Sequence, residues 1–453
     1  MVIARLLTPA QIGVYSVTMV LLYFVSSLRD MGAGQYLVQE RELTPARIRA
    51  AWTVQLCMGV AFGSIVTLAS HPVALFYKEP IMFDMMLILA INFILSPFGS
   101  LTYAHLMREM KFGKLAVMRF TSNVIGTVVT LTAAWNGQGA MSLAYGSLAA
   151  TAGNALCSMA FRPAHFPWLP GATHEVGRVL RFGSKISATA ILNTAANGSP
   201  ELALGKLQNM TEVGFFSRAN GLASMFHRLV LDAVNSVAVS LFAKDARSGI
   251  APKAGFLRAL AYVTVLGWYL MGLLAIFAPA VLAALYGSQW GEATTLSRLL
   301  LFGMSAGLVA TLCPVVLTSL GLASQILKIT LMACGIYITF MIVGAIAGTH
   351  WIGGTYIAAN IITALLWLRV TAPHLKATSK DILRPLTASL KVTFYALIPA
   401  AGIYYASGIY RDSLYVFIAG TFFSFFGFVA AIRLTAHPIN TEMDKLILAV
   451  RRN

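Results

Sequence analysis

The chain has 453 residues, 58% hydrophobic and only 11% charged, with a formal net charge of +17. A soluble globular domain carries roughly 25% charged residues, so that class is excluded. The Lys and Arg residues are scattered over the loops between apolar runs and form no recognition module, which excludes a nucleic-acid partner.

Runs of about 20 apolar residues cross a bilayer core at about 1.5 Å per residue. Thirteen are predicted, at roughly 12–37, 51–75, 83–106, 115–135, 140–161, 182–204, 212–242, 257–285, 293–320, 326–349, 352–372, 388–408 and 413–433. One alternating set of loops and span ends collects most of the basic residues, such as Arg47, Arg108, Arg162, Lys244, Arg369 and Arg433. The opposite set holds only Arg5, Lys78, Lys206 and Arg411. Basic loops stay cytoplasmic, so the C-terminus is expected inside, and the charge also suits contact with anionic membrane lipids.

Charges inside the spans are the candidate functional groups, because a mid-bilayer charge costs about 2.5–3.5 kcal/mol on insertion scales. In chain order, Arg29 and Asp30 come first, with Arg29 facing a cavity or snorkelling to the cytoplasmic surface. Glu201, after Pro200, could exchange a proton or bind sodium, or else pair with Lys206 or sit at the interface. Arg218 and Arg298 mark outward span ends and belong to a vestibule or to the headgroup layer. Arg228 and Asp232 are four residues apart on one helix face. They form either a phosphate-holding cation with its neighbour or a neutralised pair that locks helices. Asp30, Glu201 and Asp232 are the coupling candidates.

Outward segments such as 76–82, 205–211, 286–292 and 409–412 are short, and the longer inward ones are basic connectors. Neither provides a place to gather catalytic acids, so a transporter is expected rather than an enzyme. Cys57, Cys157, Cys313 and Cys334 fall far apart inside spans and read as buried single thiols. No metal and no cofactor is implied.

The segment Arg5-Leu-Leu-Thr-Pro-Ala-Gln-Ile-Gly-Val-Tyr-Ser16 returns 201 residues later as Lys206-Leu-Gln-Asn-Met-Thr-Glu-Val-Gly-Phe-Phe-Ser217. Pro72 to Tyr77 is echoed by Pro279 to Tyr286 at a similar offset, and Pro97 and Pro314 fall in corresponding spans as a matched pair of hinges. A repeat of this length in a membrane chain means two similar bundles with a substrate site between them. The span at 182–204 precedes the second motif, and its counterpart would lie upstream of Met1. A first span is therefore expected to be missing or truncated.

Ala4 to Tyr15 resembles the motif that follows the first span in bacterial polysaccharide transporters, the Wzx-type oligosaccharide flippases. These belong to the multidrug/oligosaccharidyl-lipid/polysaccharide exporter superfamily. Asp30-Met-Gly-Ala-Gly34, Arg108-Glu-Met-Lys-Phe112, Leu180-Arg-Phe-Gly183 and Val213 to Ala219 are similar as well. Where relatives often carry aspartate and proline, this chain has Glu201 and Ser240.

The resemblance implies an all-α polytopic membrane protein of two pseudo-symmetric six-helix bundles plus two C-terminal helices. It divides the chain into 1–161, a cytoplasmic linker 162–181, 182–372 and 373–453. The implied cargo is an undecaprenyl-diphosphate-linked oligosaccharide crossing the bacterial inner membrane by alternating access, with polymerase or export machinery as a further partner. Arg228 and then Arg29 are the first candidates for the cargo site. A drug exporter of the same superfamily, a membrane glycan polymerase or ligase, and a scaffold for the assembly machinery are the alternatives.

Overall fold

The computed structural model describes residues 2–29, 37, 40, 44–163, 166, 171, 176–225, 253–410, 412–435 and 437–440, with the backbone alone within 178–190. Among the described residues the secondary structure is entirely helical. Ten helices among the described residues are long and apolar enough to cross a membrane. Every predicted span that falls on described residues is helical.

The chain opens with α1 (Val2–Leu6) and α2 (Pro9–Arg29), followed by α3 (Pro45–Tyr77), α4 (Ile81–Arg108), α5 (Phe112–Trp135), α6 (Met141–Phe161) and α7 (Val176–Leu207). Helix α8 covers 210–225. Then come α9 (Lys253–Ile276), α10 (Ala278–Tyr286), α11 (Ala293–Gly307), α12 (Cys313–Ser319), α13 (Ala323–Ala347), α14 (Thr349–His374), α15 (Ser379–Ala406) and α16 (Leu414–Leu434). The described residues fall into two compact units, Met1–Gly214 and Phe215–Asn453.

The repeated motif explains how its two helices begin. Thr8 caps α2: its hydroxyl accepts from the Gln11 N–H at 3.3 Å, and the Gln11 amide oxygen accepts from the Thr8 N–H at 3.0 Å. This reciprocal pair satisfies two donors that a helix start leaves bare. Asn209 stands at the same register in the second copy, and its side chain accepts from the Glu212 N–H at 3.0 Å.

Four residues after the first residue of each of these two helices stands a glycine. A Cβ on Gly13 would lie 1.8 Å from the Met210 carbonyl oxygen, and one on Gly214 would lie 2.0 Å from that of Pro9. Pro9 and Met210 are themselves equivalent in the repeat, so the two copies cross glycine to entry turn, reciprocally. Small residues let membrane helices approach to backbone contact in this way.

In the first unit α3 packs on α4, α4 and α5 on α6, and α7 on α2 and α3. Helix α3 begins at the Thr44 cap and Pro45, and stops at Lys78, which turns the chain with a φ of 60°. Lys206 closes the same helix end: its Nζ donates to the Phe76 carbonyl at 2.7 Å and lies 3.9 Å from the Phe76 ring centroid. It is thus committed to α3, and the Glu201–Lys206 pair considered from the sequence does not form.

Parts of the predicted linker are docked. Phe166 joins a buried cluster with Leu37, Ile48, Trp52, Leu101 and Ala104. The Thr53 hydroxyl donates to the Gly171 carbonyl at 3.0 Å and accepts from its N–H at 2.9 Å.

In the second unit α9 packs on α11 and α15, α11 and α13 pack on α14, and α15 packs on α16. The span window of α9 is 61% buried and that of α16 only 28%, so α9 is central and α16 peripheral. The paired prolines act differently in the two copies. Helix α4 runs unbroken through Pro97, whereas the corresponding stretch divides into α11, a 3₁₀ turn at Leu308–Ala310, and α12 with Pro314 near its start.

Past α16 the chain folds back on the unit, with His437 only 1% exposed. Its Nδ1 accepts from the Ile439 N–H at 3.2 Å, which leaves the proton on Nε2, 3.2 Å from the Ser389 hydroxyl of α15. Ser389 in turn donates to the Ala261 carbonyl of α9 at 3.1 Å. Burial pushes the imidazole down to about 4. The cysteines depart from expectation in one case: Cys313 and Cys334 are buried and Cys157 half-buried, but Cys57 is exposed, because it falls on an outer face of α3.

Candidate functional site

The first unit carries a polar cluster inside an apolar bundle. Phe93, Ser96, Pro97 and Ser100 recur at helical spacing along α4 and so share a face. Arg29, in the last turn of α2, reaches this face: its Nη1 donates to the Ser96 hydroxyl at 2.5 Å, and the guanidinium carbon lies 5.3 Å from the Phe93 ring centroid. The Ser100 hydroxyl donates to Oε1 of Gln55 on α3 at 2.7 Å. Arg29, Gln55, Ser96, Pro97 and Ser100 line a cavity of about 20 Å³, room for a single water.

Ser96 is twelve residues from Arg108 at the C-terminal end of α4, or about 18 Å of helix rise. The cation is therefore held well within the span. One turn before Ser96 on α4, Asn92 donates to the Ser147 hydroxyl of α6 at 3.1 Å, while its buried carbonyl oxygen has no partner among the described residues. The arrangement offers a fixed cation, an amide and two hydroxyls, which is chemistry for an anionic group with hydroxyl-bearing neighbours.

Glu201 lies in α7, 7% exposed, and among the described residues no basic side chain pairs with it. Arg218, on α8, sits over the Tyr286 and Trp290 rings at 5.6 and 5.9 Å from their centroids, an aromatic bracket for the cation. Arg298, on α11, spends its donors on a helix end. Its Nε donates to the Ala275 carbonyl at 2.9 Å, and its Nη2 to the Ile276 carbonyl at 3.5 Å and the Tyr404 hydroxyl at 3.3 Å. Those are last-turn carbonyls of α9, just before the chain breaks at Phe277, where a cation also meets the negative end of the helix dipole.

Arg228, Asp232 and Asp30 lie outside the described residues. Of the sequence candidates, then, Arg29 borders a polar cavity of the first unit, Glu201 is buried in α7, and Arg218 and Arg298 are held by rings and carbonyls within the second unit. Gln55, Ser96 and Ser100 were not among the sequence candidates. The signal available was the pair Ser96 and Ser100, four apart on the largely apolar α4.

A chain whose described residues form only helices, ten of them candidate spans, with polar groups held inside a bundle, is a multi-pass membrane protein with the architecture of a transporter. A family model described as "Polysaccharide biosynthesis protein" matches residues 2–295, and the chain belongs to that family. The chain is 24% identical over 371 residues to the succinoglycan biosynthesis transport protein ExoT of Rhizobium meliloti (strain 1021), covering 81% of this chain and 72% of that one. It is 22% identical over 458 residues to the lipopolysaccharide biosynthesis protein WzxC of Escherichia coli (strain K12), covering 98% and 91%.

Among solved structures, the fold is similar to the lipid II flippase MurJ in an inward closed conformation, with a TM-score of 0.76, 10% identity and 95% of each chain covered. It is also similar to an inward-facing multidrug resistance MATE family transporter, with a TM-score of 0.66, 14% identity and coverage of 83% and 94%. Identities this low establish the fold alone.

Proposed function

We propose that this protein is a flippase, which carries an undecaprenyl-diphosphate-linked oligosaccharide from the cytoplasmic to the periplasmic leaflet of the bacterial inner membrane. It would do so by alternating access, for exopolysaccharide or O-antigen assembly, with its C-terminus in the cytoplasm. The observation that carries the reading is Arg29, held at mid-span beside neutral hydrogen-bonding groups. A diphosphate crossing a low-dielectric region needs compensating charge, and its sugars need neutral donors and acceptors. Family membership and the transport and lipopolysaccharide roles in the relatives' names support the same reading.

In this proposal the halves are 1–161 and 182–372, joined by 162–181, with 373–453 supplying two further spans. Arg228 and Arg29 serve the cargo, Arg218 and Arg298 flank it, and Glu201, Asp232 and Asp30 are the groups through which an ion gradient couples. The chain performs no covalent chemistry.

The test is to delete the gene and determine which leaflet the lipid-linked glycan occupies, then to restore Arg228→Ala and Arg29→Ala variants. Cytoplasmic accumulation that the native chain relieves, and the variants at native abundance do not, supports the proposal. No accumulation points to another cargo. Variants that fail only through lost abundance point to a structural ion pair.

A further inference from the structure

An apolar groove of about 680 Å³ runs between α11, α14 and α15 in the second unit. Its walls include Ala306, Ile361, Ala364, Leu365, Leu368 and Leu383, and its only polar lining residues are Arg369 and Ser379. Arg369 is exposed. Lys376, Lys380 and Arg384, also exposed, stand next in sequence to the lining residues Ala377, Ser379 and Leu383. The one acid on this rim is committed: Asp381 receives Lys253 Nζ at 2.7 Å and closes the capping box with Thr378. The groove is thus apolar along its length and cationic at one end, and the basic-loop pattern of the sequence places that end at the cytoplasmic interface.

We propose that this groove is a binding site for an anionic phospholipid of the inner leaflet, with one acyl chain along α14 and the phosphate against Arg369 and the α14–α15 turn. In a bilayer, moving an acyl chain into an apolar groove brings no hydrophobic gain, because lipid tails are as apolar as leucine. Selectivity therefore comes from the headgroup, and basic pockets on the cytoplasmic side of membrane helices hold anionic headgroups for this reason. A phospholipid suits the site better than the polyprenyl tail of the cargo, which is much longer than the groove. The whole site also lies within one unit.

The experiment uses the purified full chain in detergent, titrated with phosphatidylglycerol, phosphatidylethanolamine or undecaprenyl phosphate, with retained lipid counted by native mass spectrometry. Phosphatidylglycerol is retained over phosphatidylethanolamine. Arg369→Gln reduces that preference about fivefold, the size of one interfacial cation's contribution, and Arg369→Lys restores most of it. Arg369 is exposed, so these variants keep the fold, and an unchanged elution profile verifies it. Lys380→Gln, also exposed, adds a further loss. Equal retention of the two phospholipids, or a preference that Arg369→Gln leaves intact, overturns the site. Displacement of phosphatidylglycerol by undecaprenyl phosphate overturns the choice of occupant. Because no cargo transport is measured, failure here is separate from failure of the flippase reading.

Discussion

Gly13→Ala tests the crossing of the two motif copies. The added Cβ would stand 1.8 Å from the Met210 carbonyl oxygen and 2.8 Å from its carbon. Ordinary contacts of this kind begin near 3.4 Å, so α2 and the first turn of α8 must part by roughly 1.5 Å. The obstacle is backbone, which has no rotamer to escape into. Overpacking of a tight contact costs typically about 1–3 kcal/mol, and the better helix propensity of alanine offsets up to about 1 kcal/mol of it. A net loss of about 1–2 kcal/mol is expected for Gly13→Ala, and likewise for Gly214→Ala.

Separation that admits one methyl also makes room for the other, so the double variant should lose clearly less than the sum of the singles. The assay is the midpoint of thermal aggregation in detergent, with Gly354→Ala as the control, since nothing lies within 4 Å of a Cβ there. If Gly13→Ala melts with the control, the close crossing is refuted. Strictly additive losses would refute its reciprocity.

Arg298→Met should lower thermal stability by about 1–3 kcal/mol, the cost of leaving buried carbonyls without donors, whereas Arg298→Lys should recover part of it. A transport defect at native stability would place this cation at the cargo instead. Ser96→Ala frees Arg29 from its hydroxyl partner and should change transport at unchanged abundance, as measured by glycan leaflet assay; unchanged transport would count against the cluster. Docking of the 437–440 turn should depend on pH. The folded His437 sits at about 4 and an unfolded histidine at 6.5, so the neutral form is the docked one. Its contribution, at most about 3 kcal/mol for that shift, is full above about pH 6.5 and lost as pH falls towards 4. Amide exchange of residues 437–440 should therefore quicken from pH 7 to pH 4.5 after correction for intrinsic rates, and His437→Gln should flatten the difference.

Helix positions were legible because hydrophobic runs this long have one solution in a bilayer, and the 201-residue repeat was legible because caps and glycines carry their own chemistry. What the sequence withheld was partnership. Arg29 and Arg298 look alike as lone charges in apolar runs, yet one meets a serine beside a polar cavity and the other meets the carbonyls of a broken helix. Backbone acceptors leave no mark on a sequence. The same holds for Lys206, whose acceptor on Phe76 exists only because α3 ends beside α7.

Gly13 and Gly214 stand at one register of the repeat, as do Pro9 and Met210, so each copy offers its glycine to the other's entry turn. Self-complementary contacts of this kind are what two identical subunits make about a two-fold axis. A duplicated gene inherits such a contact ready-made, and fusion then loosens its constraint. In a homodimer every substitution strikes both sides at once; in a single chain one copy can change while the other holds. Thr8 against Asn209 and Tyr15 against Phe216 record that freedom. The glycines, pressed against backbone that cannot retreat, mark where it ended.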